Sequence, residues 1–153
     1  MLRSGVPRFK HALLLRGAAV VLLGTCAVTS AGCYWSRYAE VMSMHLDLLE
    51  QYAAKLAGLA EDHRTVAAQD WGEFVYPLER ARDFARIAGK RYPDRASLVR
   101  FQEVLSLYGE MVASPEVLSR GEPEATLHGD KQRLDEAVAA TRRDLDREAH
   151  APG

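Results

Sequence analysis

Residues 97–112, SLVRFQEVLSLYGEMV, carry the pattern that decides the fold. Leu98, Phe101, Val104, Leu105, Tyr108, Met111 and Val112 recur at steps of mostly three and four, which puts them on one side of an α-helix. Asp94 or Ser97 is expected to cap its start. No stretch of the chain alternates apolar and polar residues with period two, so no sheet is expected.

Upstream, Asp70-Trp71-Gly72-Glu73 has the form of a capping box and opens a second helix. Pro77 follows within two turns, so that helix either kinks there or begins there. Phe74, Leu78, Ala81, Ala85, Ala88 and Tyr92 form its inner face, with Phe84 and Ile87 alongside, and Gly89 and Pro93 end it. Further back, 34–65 reads as one long amphipathic helix with Ser36 as N-cap. Its stripe is Tyr38, Met42, His45, Leu49, Tyr52, Leu56 and Leu59, widened by Val41 and Leu48.

Downstream, 114–129 holds Pro115, Gly121, Pro123 and Gly129, which predicts a long loop with at most a turn of helix at 123–128. Asp130 then caps a last helix over 130–149. Its stripe of Leu134, Val138, Thr141 and Leu145 is thin, as for an outer helix or one that frays. The expected fold is all-α: an antiparallel up-down bundle of three to four helices, since the first three are joined by short links.

The amino-terminal residues obey a different logic. Arg3, Arg8, Lys10 and Arg16 come first, and no acid occurs before Glu40. The apolar run 17–32, GAAVVLLGTCAVTSAG, follows and ends on small residues, the form of a secretory signal peptide. It falls short of the ~20 residues a spanning helix needs. Its end, Ser30-Ala31-Gly32-Cys33, resembles the lipobox of bacterial lipoproteins, with Ser30 where that family usually has leucine. The resemblance covers the leader alone. It implies cleavage between Gly32 and Cys33, lipid on Cys33, a signal peptide over 1–32 and a helical domain over 33–153. In that family an aspartate after the cysteine retains the protein at the inner membrane; Tyr34 stands there, which favours the outer membrane.

Cysteine usage points the same way. Cys26 lies in the segment that cleavage removes, leaving Cys33 as a lone thiol in an oxidising compartment unless a thioether occupies it. Two other readings stay open: an uncleaved anchor making a single-pass inner-membrane protein, and ordinary cleavage after Thr29-Ser30-Ala31. No Gly/Ser/Pro tether separates Cys33 from the first helix. Tyr34, Trp35 and Tyr38 therefore either lie at headgroup level or cap the core at that end.

Four of the chain's 20 Lys and Arg lie in the leader and none of its 21 Asp and Glu do, so the remainder is acidic by five charges. That balance argues against nucleic acid as partner. Within 78–100, however, seven cations face three acids, and Arg82, Arg86 and Lys90 fall four apart on one helical face. The patch is either a contact for anionic headgroups, cell-wall polymer or an acidic partner, or a solvated face with cations at a helix C-terminus, and the second is preferred.

The Met42, Met44, His45 cluster could ligate a soft metal, but Met42 and His45 share the buried stripe while Met44 points elsewhere, which reads as core. His63, His128 and His150 show no ligand spacing, so no metal and no cofactor are expected. No nucleophile, zincin, P-loop or dinucleotide motif occurs, and no enzyme is expected. The function these features imply is a lipid-anchored periplasmic adaptor, assembly or structural protein of the bacterial envelope, held to the membrane through Cys33 and binding an envelope protein. The alternative is a small-molecule or metal carrier using the bundle core.

Overall fold

The computed structural model describes residues 37–113, 115–119 and 123–150. Four α-helices account for most of them: α1 over 37–61, α2 from Gly72 to Arg91, α3 from Ala96 to Met111 and α4 from Pro123 to His150. Short 3-10 turns cover Ala68–Asp70 and Pro115–Ser119. The protein is all-helical, with no strand among the described residues.

The α3 stripe is the core. All seven of its predicted residues are buried, Phe101, Val104, Tyr108 and Met111 completely. α2 adds Phe74, Leu78, Ala81, Ala85 and Ala88, as its periodicity predicts, whereas Ile87 lies 62% exposed. On α1 the buried face is centred slightly off the predicted one. Leu46, Ala53, Ala57 and Ala60 join Tyr38, Met42, His45, Leu49 and Leu56, while Tyr52 and Leu59 are half-buried flanks. α1 meets α2 on one side and α4 on the other, so its apolar face is wider than one stripe.

Specific contacts give the order of pairing. Tyr38 lies on Tyr92 (centroids 4.9 Å apart), His45 on Phe84 (5.3 Å) and Tyr52 on Phe74 (6.0 Å), linking α1 to α2. Phe84 meets Phe101, and the Tyr108 hydroxyl donates to the Phe74 carbonyl (2.9 Å). Ser97 bonds Glu148 and Arg100 pairs with Asp144, linking α3 to α4. Arg142 reaches Asp47 and Glu50, and His128 lies near Glu61, linking α4 to α1.

Several boundaries differ from expectation, each for a local reason. α1 ends at 61, not 65, because His63 takes φ 50° and the Arg64 N–H bonds back to the Leu59 carbonyl (2.8 Å), a left-handed stop made without glycine. No capping box opens α2: Asp70 sits in the 3-10 turn, Trp71 is the N-cap without a side-chain bond, and Glu73 pairs with Lys55 (2.7 Å). Pro77 lies inside α2, early enough that only one ladder bond is lost.

The predicted 114–129 loop is the largest correction. Val117 and Leu118 of the second 3-10 turn are buried, and α4 begins at Pro123, so Gly129 and Asp130 lie inside the helix. Proline supplies the helix start there, since a first-turn residue needs no donor. Leu127, Leu134, Val138 and Thr141 have no exposure, so α4 is a full member of the core and not an outer cover.

Two substitutions test these ends. Gly129→Ala has open space for its methyl and should raise unfolding free energy by about 0.5–1 kcal/mol in urea titration. His63→Gly should add a similar amount by relieving the left-handed backbone, about 0.5–1 kcal/mol. A loss on Gly129→Ala would place residue 129 outside a helix.

Candidate functional site

Cys33 and Gly32, the predicted lipidation and cleavage residues, lie outside the described residues, as do Tyr34, Trp35 and Ser36. Tyr38 is described, and it is a core residue: 5% exposed, against Tyr92 and Phe84.

The end of the domain where Tyr38 sits is closed by a polar chain. The Ser97 hydroxyl donates to Glu148 (2.7 Å) and the Ser97 N–H to the other carboxylate oxygen (3.1 Å), so the Tyr38 hydroxyl is the donor in its 3.0 Å bond to Ser97. Burial raises the Tyr38 phenol above its ordinary value, against the lowering effect of the Ser97 bond. Glu148 thus does the capping predicted for Asp94 or Ser97: the N-cap itself is Arg95, with no side-chain bond. A carboxylate at a helix N-terminus is favoured by the exposed N–H groups and the dipole. Fifty-one residues separate it from Ser97, so no local signal marks it. Beside it a shallow cleft of about 540 Å³ is lined by Arg91, Tyr92, Pro93, Asp94, Arg95, Ala96 and Glu148.

Arg82, Arg86 and Lys90 are all exposed on α2. They are not equivalent. Arg82 reaches over to α3, its guanidinium 3.0 Å from where a side chain on Gly109 would begin. Arg86 pairs with Asp83 (3.1 Å) within the helix, and Lys90 has no ion-pair partner among the described residues. Exposed pairs of this kind contribute roughly 0–1 kcal/mol, so the patch is not a requirement of the fold.

The histidine–methionine cluster divides as its spacing predicts. Met42 is fully buried, His45 is 7% exposed and Met44 is 49% exposed. His45 lies against Phe84 and Phe101, and its Nδ1 is buried without a hydrogen-bond partner. Burial first, then the positive charge of Arg80, lowers its pKa below 6.5. Among the described residues no group of three His, Cys, Asp or Glu side chains converges to hold a metal. A second cleft, about 310 Å³, lies between α1 and α4 and includes Gly58, Glu61, His128, Lys131 and Asp135.

No protein-family model, curated protein or solved structure matches the chain.

The His45 environment sets a pH dependence. A pKa lowered in the folded state means that the unfolded chain takes up the proton first, so stability is full above 6.5 and falls as pH drops from there to the folded pKa. His45→Leu removes that loss and an unpaired buried nitrogen, which typically costs about 1–3 kcal/mol. The variant should be more stable than the parent at neutral pH and further ahead at pH near 5, read by urea unfolding at both. An equal margin at the two pH values would contradict the assigned pKa.

Proposed function

We propose that this chain is a bacterial envelope lipoprotein whose helical domain works as a membrane-held adaptor, recognising a partner through helix faces. One observation carries the reading: a cationic, then apolar leader ends on Ser30-Ala31-Gly32-Cys33, and Cys33 is the only thiol beyond it. Two or more acyl chains, at about 0.8 kcal/mol per buried methylene, make a stable foothold on a membrane. Among the described residues no helix is long and apolar enough to cross one.

In this reading the helices run alternately up and down, which the pairings of Tyr38 with Tyr92, Phe84 with Phe101, Ser97 with Glu148 and Glu61 with His128 support. The five residues from Cys33 to Tyr38 can span at most about 18 Å. The Tyr38–Glu148 end of the domain then faces the membrane, and the 3-10 turns face the periplasm. Tyr34 after the cysteine favours the outer membrane. Helix faces offer partner recognition in the manner of helix-in-groove contacts.

Intact mass of the membrane-extracted chain is the test. The expected species begins at Cys33 and carries a diacylglyceryl group and an N-acyl chain. A full-length unmodified chain would support the uncleaved single-pass alternative, and an unmodified chain beginning at Gly32 or Cys33 would overturn lipid anchoring outright.

A further inference from the structure

Four large apolar side chains are exposed among the described residues: Met44, Tyr76, Ile87 and Val99. Three of them border one surface. His45 and Phe84 are in contact at the α1–α2 junction, and Met44 lies beside His45 on the outer side. Ile87 is three residues from Phe84 and Arg80 four, so both share its flank of α2, with Tyr76 a turn before Arg80. Val41, Leu48 and Phe84, each half-buried, fill the groove between. The outer α1–α2 face is therefore an apolar strip with charged residues along it. Arg80 and Lys90 on α2 and Glu40 on α1 have no ion-pair partner among the described residues. One face thus carries both signs of unmatched charge.

We propose that this face is where two copies of the chain pair. A two-fold axis makes the same patch serve both partners, so a surface holding both halves of a complementary charge pattern fits itself. The axis runs along the helices; its direction, though not the pairing, rests on the lipid-anchor reading, because two copies held from the same end must stand side by side. Such an axis keeps height and exchanges α1 with α2. Within one copy, the Tyr38–Tyr92 and His45–Phe84 contacts set the heights. Met44 of one copy then meets Ile87 of the other, and Glu40 meets Lys90. Two apolar contacts at the centre, ringed by opposite charges, follow the usual anatomy of an interface.

Site-directed cysteines in the full-length, membrane-borne chain test this, with Cys26→Ser as background. Co-expressed Met44→Cys and Ile87→Cys chains, carrying different tags, should form a mixed disulfide-linked dimer on mild oxidation, and neither alone should do so to a comparable extent. Glu40→Lys and Lys90→Glu should each reduce the mixed product about five-fold, and the double exchange in one chain should restore it. All four positions are exposed, so circular dichroism should show an intact fold throughout. No mixed product from folded chains, equal product from Met44→Cys alone, cross-linking to a different protein instead, or failure of the double exchange to rescue would each overturn the proposal. The mass of the same samples separates this from the anchor: acylated chains without mixed dimer leave lipid attachment standing and remove self-pairing, while mixed dimer of unacylated chains does the reverse.

Discussion

Burial of the α3 stripe is the constraint on which the described domain depends. A helix of 16 residues that hides Leu98, Phe101, Val104, Leu105, Tyr108 and Met111 needs neighbours on more than one side. α2 and α4 supply two of them, α2 with Phe84 against Phe101, and α1 closes the interior over Phe101 through His45. None of these helices would be expected to hold its conformation alone in water, since packing of an apolar face supplies most helical stability in proteins. The residues left outside this seam, such as Val99 and Ile87, follow from the same geometry, as they point away from it.

The polar groups that the seam encloses are satisfied by bonds to backbone carbonyls, two of them between distant elements and one within a helix. Tyr108 donates to the Phe74 carbonyl, Trp71 to the Val112 carbonyl (3.3 Å), and Thr141 to the Ala137 carbonyl one turn back (2.8 Å). Burial drives the Tyr108 phenol far above its ordinary pKa, so it remains a neutral donor at any physiological pH. Trp71 and Val112 tie the start of α2 to the end of α3 at one end of the domain, and Ser97 with Glu148 ties α3 to α4 at the other. His45 Nδ1 is the exception, a buried nitrogen with no partner among the described residues. Most buried polar atoms in proteins are paired, which makes it the weak point of the core under acid.

Much of this was legible in the sequence, because helix faces are written at three- and four-residue spacing. The α3 stripe, the inner face of α2 and the Leu134, Val138, Thr141, Leu145 row of α4 all lie where their periodicity places them. What misled was punctuation. Gly129 reads as a breaker, yet α4 runs through it because Leu127 and Leu134 on either side are buried and hold the helix. His63 stops α1 by a backbone conformation that usually advertises itself with glycine. Glu148 caps α3 from another helix, and Asp70 and Glu73, which have the spacing of a cap, do other things. Long-range contacts of this kind leave no mark on neighbouring residues. Arg80 counts among the seven cations of 78–100, but its place near His45 depends on a helix more than thirty residues earlier and leaves no mark in its own spacing.

The domain therefore combines a tightly specified interior with an outer α1–α2 face that the interior does not need. The claim beneath both halves is that α3 is the axis of burial, and one comparison addresses it. Phe101→Ala should lower unfolding free energy by about 3–5 kcal/mol, whereas Val99→Ala, two residues away and 60% exposed, should change it by less than about 0.5 kcal/mol. Similar losses at the two positions would mean that α3 is not oriented as described and would contradict the fold built around it.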